Sequence, residues 1–243
     1  MGWIKVVGIG PGNLKDMTIR AREALQECDI VIGYITYIKL VKPLIEGKEI
    51  LSSGMRKEIL RCQDALKPAL EGKKVCIISS GDAGIYGMAG LMYEVAAKVG
   101  VNVDIEVIPG VSAFSSAASI LGAPIMHDFA VISLSDHLTP LNLIEERIEY
   151  ASKGDFVIAL YNPKSKERPD NIIKAQKIMI KYKKGETPVG IVKDASREKQ
   201  SVVITTLNDM LNHDIDMTTV IIIGNEKTYV EKDRMITPRG YIL

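Results

Sequence analysis

Short apolar runs that alternate with helical patterns are the feature that most constrains the fold of this 243-residue chain. Between these runs lie stretches of about 10 to 15 residues with helical periodicity, the pattern of βαβ units. Because βαβ units place their strands side by side, the first half predicts a mainly parallel sheet. Its candidate strands are residues 5–9, 30–33, 49–51, 75–79 and 104–108.

The second half has a different pattern, in which β-rich runs lie closer together after Gly122. Two clear helices, at residues 142–152 and 170–182, interrupt runs at 129–134, 155–161, 187–193, 201–205 and 219–223. A mixed sheet fits this spacing. We therefore predict two α/β domains, residues 1–119 with a mainly parallel sheet and residues 120–243 with a mixed sheet. A ligand cleft between them is expected, since domain interfaces are favoured ligand sites.

Three candidate strands of the first half run directly into glycine-rich loops. Residues 79–87 read Ser-Ser-Gly-Asp-Ala-Gly-Ile-Tyr-Gly, residues 8–13 read Gly-Ile-Gly-Pro-Gly-Asn, and residues 109–113 read Pro-Gly-Val-Ser-Ala. In open α/β sheets ligands bind outside the carboxyl ends of the strands. Glycines let the backbone approach a ligand closely. The loops predict a site that contacts its ligand mostly through backbone groups, with Asp82 as a charged acceptor or, alternatively, as a helix N-cap.

A dinucleotide or phosphate loop is the main alternative interpretation of the first glycine segment. Gly8 and Gly10 match the start of a G-x-G-x-x-G motif, but the third glycine would fall at Asn13. The acidic strand end expected about 20 residues later is missing, as are the lysine and Ser/Thr of a Walker loop. These differences disfavour nucleotide phosphates as the ligand.

Composition excludes several classes of function. The net charge of +1 lacks the basic excess of a nucleic-acid-binding protein. No apolar stretch approaches the roughly 20 residues that span a bilayer, and no signal peptide is recognisable, so a cytoplasmic protein that binds no membrane is expected. Cys28, Cys62 and Cys76 are too widely spaced for a disulfide framework or zinc site, and no metal is predicted. Buried thiols are expected, with a reactive Cys62 as the alternative.

Taken together, these segments resemble the tetrapyrrole methylases, S-adenosylmethionine-dependent enzymes that methylate corrin precursors. The resemblance extends from residues 8–12 to residues 237–241. Stretches 31–37, 81–88, 132–136 and 159–165 are similar to the branch that methylates C-17 of precorrin-3B or cobalt-factor III with ring contraction. Most members have proline where this chain has Ala83. Alternatives are a C-11 or C-20 methylase of the same family, or a non-catalytic tetrapyrrole-binding module.

The resemblance also implies site residues, a homodimer and a tetrapyrrole substrate, with or without cobalt. Asn162 stands where many relatives have methionine. The loop of Gly8, Gly10 and Gly12 would line the tetrapyrrole side of the cleft. Contacts to S-adenosylmethionine are implied for Pro11, Ser80, Gly81, Asp82, Ile85, Ser112, Ala113, Asn162 and Ala195.

Further candidates follow from the chemistry of a macrocycle that carries many carboxylates. Arginine pairs bidentately with carboxylates, and Tyr34 ends a strand where it could face the ring. Ring contraction moves protons, so it needs a positioned acid or base. Asp136, which follows a strand, is the first candidate, with His127 and then His137 behind it. The candidate arginines are Arg168, Arg197, Arg56 and Arg239.

Overall fold

The computed structural model describes residues 2–242, which divide into two compact units. The boundary along the chain lies between Ala113 and Phe114. The predicted domain boundary, between residues 119 and 120, falls within helix α5 (Ala113–Leu121). No helix of the described chain is long and apolar enough to cross a membrane.

The first unit is a doubly wound α/β sheet. Its five strands are all parallel, in the order β3-β2-β4-β1-β5. They are β1 (Trp3–Gly8), β2 (Ile30–Tyr34), β3 (Glu49–Ser53), β4 (Lys74–Ser79) and β5 (Asp104–Ile108). The helices are α1 (Ile19–Glu27), α2 (Ile35–Val41), α3 (Glu58–Leu70) and α4 (Ala89–Val99), with 3-10 turns at Leu14–Asp16 and Lys42–Leu44. All five predicted strands are present, and the predicted parallel sheet is confirmed.

Alternation of side chains along the strands gives this sheet two hydrophobic faces. Ile4 and Val6 of β1 pack in one cluster with α3 and α4, while Val7 packs in another with α1 and α2. The chain therefore leaves β1 and β4 toward opposite faces. The point where the winding reverses lies between these two strands, and ligands bind at such a point.

The three cysteines are buried, as the sequence predicted, and no disulfide joins them. Cys62 lies in α3, in the hydrophobic cluster that α3 and α4 form with one face of the sheet, and it is fully buried. Burial, the largest cause, raises the pKa of the Cys62 thiol to about 11. A neutral buried thiol is a poor nucleophile, so the structure favours the structural role over the reactive one.

This pKa shift has a consequence for stability at high pH. The unfolded state releases the Cys62 proton near the ordinary thiol pKa, before the folded state does. The neutral thiol therefore makes its full contribution to the free energy of unfolding below the ordinary thiol pKa. This contribution is lost as the pH rises toward 11. We expect the free energy of unfolding to fall by about 1 kcal/mol from this source between pH 8 and pH 10. Urea unfolding of the wild type and of Cys62→Ala at both pH values measures it, and equal pH dependence in the two proteins would contradict it.

The second unit contains a mixed sheet, as predicted. The strand order is β10-β9-β11-β8-β7, with β7 and β8 parallel and the other neighbours antiparallel. These strands are β7 (Phe129–Ser133), β8 (Val157–Tyr161), β9 (Pro188–Lys193), β10 (Ser201–Thr206) and β11 (Thr219–Ile223). Helices α6 (Leu141–Lys153) and α7 (Asn171–Met179) cover one face, with a 3-10 turn at Met210–Asn212. Helix α5 covers the other, where a Cβ on Gly190 would lie 2.2 Å from Leu121 Cδ1.

A second, three-stranded sheet in this unit was not predicted. It consists of β6 (Gly122–Ala123), β12 (Tyr229–Glu231) and β13 (Arg234–Ile236), in the order β12-β13-β6. The strands are too short to show alternation. Lys232 and Asp233 form the hairpin turn with φ values of 47° and 58°, although glycine and asparagine are the residues that normally signal such a turn.

Candidate functional site

The three glycine loops of the first unit follow β1, β4 and β5, which are neighbours in the sheet. Two of the loops pair through their backbones. The Gly10 amide donates to the Gly81 carbonyl at 3.1 Å, and the Gly81 amide donates to the Gly10 carbonyl at 2.8 Å. Both glycines have left-handed φ values, +79° and +68°, which glycine adopts without steric cost. The loops of residues 8–13 and 79–87 are therefore joined. Together with the third loop, residues 109–113, they form the surface that we call the glycine edge.

Asp82 joins the second loop to the third. Its Oδ1 accepts a hydrogen bond from the Gly84 amide at 2.8 Å, and its Oδ2 accepts one from the Gly110 amide at 2.9 Å. Helix α4 begins at Ala89 with Met88 as its N-cap, so the alternative in which Asp82 caps this helix is wrong. Since an ionised carboxylate has about four acceptor positions, the half-buried Asp82 retains capacity for a ligand.

Close packing explains why glycines occupy the centre of this edge. A Cβ on Gly8 would lie 2.7 Å from the Gly110 nitrogen and 2.8 Å from the Gly81 oxygen. A Cβ on Gly110 would lie 2.2 Å from the Gly81 oxygen. All of these atoms belong to backbones, which cannot move aside as a flexible side chain could. The glycines are thus required by contact between loops, a reason that the sequence motif alone did not reveal.

The other predicted residues of the first unit also lie at carboxyl ends of its strands. Tyr34 ends β2 and makes an edge-on contact with Tyr37, with ring centroids 5.2 Å apart. Arg56 follows β3 with a left-handed φ of 60°. The remaining predicted residues on these loops are Pro11, Gly12, Ser80, Ile85, Ser112 and Ala113. The three loops therefore lie at one edge of the sheet, because they follow neighbouring parallel strands.

In the second unit, Asn162 directly follows β8 and has a left-handed φ of 51°. Its Nδ2 donates to the hydroxyl oxygen of Ser133, the last residue of β7, at 2.9 Å. Asparagine tolerates this conformation better than most side chains do. The Ser133 partner was missed because it lies 29 positions away in sequence, with no local signal. We call the carboxyl ends of β7, β8 and β9, with the loops that follow them, the Asn162 edge.

Ala195 lies on the same edge, in a strained turn after β9. Its neighbours Asp194 and Ser196 both have left-handed φ values, 50° and 58°, and such non-glycine residues cluster at functional sites. The Ser196 hydroxyl is 2.9 Å from the hydroxyl of Ser116 on α5. Arg197 Nη1 lies 3.6 Å from Asp194 Oδ1. Sequence reasoning missed Ser196 because the turn after β9 contains no glycine and has no recognisable signature. It missed Ser116 because that residue lies on α5, 80 positions away in sequence.

The structure brings Asp136 and Arg168 together and separates His127 from them. Asp136 follows β7 and Arg168 follows β8, and Asp136 Oδ1 lies 3.7 Å from Arg168 Nε. His127 precedes β7, so it lies at the opposite edge of the sheet, where its Nδ1 accepts a hydrogen bond from the Asp128 amide at 2.8 Å. Its proposed catalytic role stays a prediction. Among residues 2–242 no group of three or more His, Cys, Asp or Glu could hold a metal ion.

These features define the class of the protein. The first unit is an open, doubly wound α/β sheet, and proteins of this class bind small molecules at the winding reversal, where the glycine edge lies. The family model described as "Tetrapyrrole (Corrin/Porphyrin) Methylases" matches residues 4–211, and the chain belongs to this family.

Individual relatives agree with this assignment. The chain is 50% identical to the "Probable cobalt-factor III C(17)-methyltransferase" of Salmonella typhimurium, over 99% of this chain and 100% of that protein. It is 54% identical to the "Cobalt-factor III methyltransferase" of Priestia megaterium, over 99% of this chain but only 45% of that protein's length. Identity to the "Precorrin-3B C(17)-methyltransferase" of a Sinorhizobium species is 36%, over 99% and 97% of the two chains.

Solved structures show the same fold. The crystal structure of the methyltransferase CobJ superposes with a TM-score of 0.93 at 33% identity, over 98% of this chain and 100% of that one.

Proposed function

We propose that this protein is an S-adenosylmethionine-dependent methyltransferase that methylates C-17 of cobalt-factor III or precorrin-3B. Methylation would be coupled to ring contraction, giving cobalt-precorrin-4 or precorrin-4. The observation that carries the proposal is the match to the Salmonella protein, 50% identical over the full length of that relative. The higher identity to proteins named for cobalt-factor III than to one named for precorrin-3B favours the cobalt-bearing substrate.

The glycine edge fits the cofactor that this family uses. The spare acceptor capacity of Asp82 suits ribose hydroxyls or an ammonium group. We propose as cofactor contacts Pro11, Ser80, Gly81, Asp82, Ile85, Ser112 and Ala113 in the first unit, and Asn162 and Ala195 in the second. When bound, S-adenosylmethionine supplies an electrophilic methyl group. The residues of the chain need only hold and orient the reactants, and such alignment can contribute roughly 7–11 kcal/mol.

For the tetrapyrrole we propose contacts with Gly8, Gly10, Gly12 and Tyr34 in the first unit and with Arg168 and Arg197 in the second. Among the residues predicted to move protons, Asp136 follows β7 at the Asn162 edge, whereas His127 precedes that strand. The cytoplasmic location, which was expected from the sequence, and the homodimer, which the family resemblance implies, stay predictions. Sedimentation of the purified protein tests the homodimer.

An anaerobic incubation of the purified protein with S-adenosylmethionine and cobalt-factor III tests this function. We expect the tetrapyrrole to gain one methyl group by mass spectrometry and to show a contracted ring by NMR. A parallel tube with precorrin-3B distinguishes the two routes.

Other outcomes would point to the alternatives. A methyl gain without ring contraction would indicate a C-11 or C-20 methylase. Binding of S-adenosylhomocysteine without any methyl transfer would indicate a non-catalytic module. If neither binding nor methyl transfer is observed, the proposal is contradicted.

A further inference from the structure

Buried cations in this protein are normally well paired. Arg61 is 5% exposed and Lys183 is 6% exposed, and each donates hydrogen bonds to three acceptors at 2.8–3.1 Å. For Arg61 the acceptors are Ser53, Gly54 and Glu58, and for Lys183 they are Asp155, Phe156 and Gly224. This is the expected arrangement, because an unpaired buried charge is strongly destabilising.

Arg168 departs from this arrangement. Its side chain is only 16% exposed, yet its Nε lies 3.7 Å from Asp136 Oδ1, beyond hydrogen-bond distance. Its Nη2 donates at 3.5 Å to the sulfur of Met217, which is a weak acceptor. Its Nη1 is buried and has no hydrogen-bond partner within residues 2–242. The guanidinium therefore keeps an unused donor in a place where an unmade hydrogen bond is costly.

Arg168 lies at the Asn162 edge, where Asn162 and Ala195 are proposed to contact a ligand. Asp136 and Arg168 follow β7 and β8, which are parallel neighbours, so both lie on the Asn162 edge. Met217 precedes β11, which runs antiparallel to β8, so it lies on that edge too. Reciprocal backbone hydrogen bonds between Ser165 and Arg168, at 3.2 and 3.3 Å, hold the loop in a tight turn.

We propose that Arg168 binds a ligand carboxylate through Nη1 and that Asp136 is the positioning residue that orients its guanidinium. Arginine is suited to this task because its planar donors match the two oxygens of a carboxylate. The inference rests on the proposed function, which supplies two sources: the amino-acid carboxylate of S-adenosylmethionine and the side-chain carboxylates of the tetrapyrrole. In this arrangement Asp136 acts through Arg168 and not as the acid of ring contraction.

Binding measurements distinguish the two sources. Calorimetry would compare S-adenosylhomocysteine with its analogue lacking the carboxylate, on the wild type, Arg168→Gln and Arg168→Lys. The matched control is Arg147→Gln, on the exposed face of α6. If the cofactor carboxylate is the partner, Arg168→Gln weakens S-adenosylhomocysteine binding by roughly 10- to 100-fold, the size of a lost charge-assisted hydrogen bond. The analogue loses far less, and Arg168→Lys restores part of the affinity.

If the tetrapyrrole supplies the carboxylate, cofactor affinity is unchanged and the KM for the tetrapyrrole rises instead. Asp136→Asn is then expected to raise the same KM with little change in kcat and in the pH profile. Loss of one limb of the pH profile in Asp136→Asn would show an acid or base and would overturn the positioning role. Changes of less than about twofold for both ligands in Arg168→Gln would overturn the inference, with water as the partner of Nη1.

Thermal unfolding of the ligand-free protein gives a readout that does not depend on the proposed function. Because Nη1 is unpaired without ligand, Arg168→Met is expected to unfold at the same or a higher temperature than the wild type. Lys183→Met, which removes a fully bonded lysine, is expected to unfold at a lower temperature. Equal destabilisation by both variants would show a structural arginine and overturn the inference. A wild type that neither binds S-adenosylhomocysteine nor methylates would instead contradict the proposed function, and this inference with it.

Discussion

Replacing Gly110 with alanine is expected to abolish S-adenosylhomocysteine binding and to lower the free energy of unfolding by about 3 kcal/mol, the upper end for overpacking. The new Cβ would lie 2.2 Å from the Gly81 oxygen and 2.6 Å from the Gly8 oxygen. Both neighbours are backbone atoms of the glycine edge, so the loops must separate to admit it. Separation would also stretch the hydrogen bond from the Gly110 amide to Asp82.

A glycine of the same unit provides the matched control. A Cβ on Gly90, in α4, would meet nothing within 4 Å. Gly90→Ala should therefore keep full ligand affinity and be stabilised by up to about 1 kcal/mol through helix propensity. Urea unfolding and calorimetry measure both variants. Gly110→Ala with wild-type stability and affinity would show that the loops can separate freely, contrary to the packing that we describe.

Replacing Asp82 with alanine is expected to cost about 2 kcal/mol of stability and at least roughly tenfold in S-adenosylhomocysteine affinity, as hydrogen bonds to a charged acceptor are lost. The amides of Gly84 and Gly110 would lose their acceptor. Asp82→Asn should have a smaller effect on stability, since its single carbonyl oxygen can keep one of the two bonds. Glu94→Ala, at an exposed position of α4, is the control and should leave both quantities unchanged.

A truncated ligand separates the two uses of Asp82. Methylthioadenosine has the ribose but not the amino-acid part of S-adenosylhomocysteine. An affinity loss in Asp82→Ala for both ligands would indicate contact with the ribose or a displaced loop, whereas a loss confined to S-adenosylhomocysteine would indicate contact with the ammonium group. Wild-type affinity for both ligands, together with lower stability, would restrict Asp82 to joining the loops.

The regular elements could be predicted because their signals are local. The apolar runs that predicted five strands in the first unit correspond to β1 to β5, with differences of one or two residues at their ends. The cap of α1 is equally local, since the Thr18 hydroxyl accepts a hydrogen bond from the Ala21 amide at 3.1 Å. The small sheet of β6, β12 and β13 was missed, because strands of two or three residues have no period to detect.

The candidate site could be predicted only in part. Glycine loops after strands marked the glycine edge, since strand ends and glycines are visible in sequence. The Asn162 edge was harder to predict, because a left-handed backbone at Asp194 or Ser196 depends on surrounding contacts more than on residue type. His127 and Asp136 are near each other in sequence, yet the length of β7 separates them.

The sequence by itself determined the strand and helix pattern, the three glycine loops and the resemblance to the tetrapyrrole methylases. Only the tertiary structure decided what those residues contact. Asp82 reaches Gly110 over 28 positions, Asn162 reaches Ser133 over 29, and Arg168 approaches Asp136 from the next strand. Periodicity and turn chemistry are properties of neighbouring residues. Hydrogen bonds between loops depend instead on which strands lie side by side, and that order is set by packing of the whole sheet.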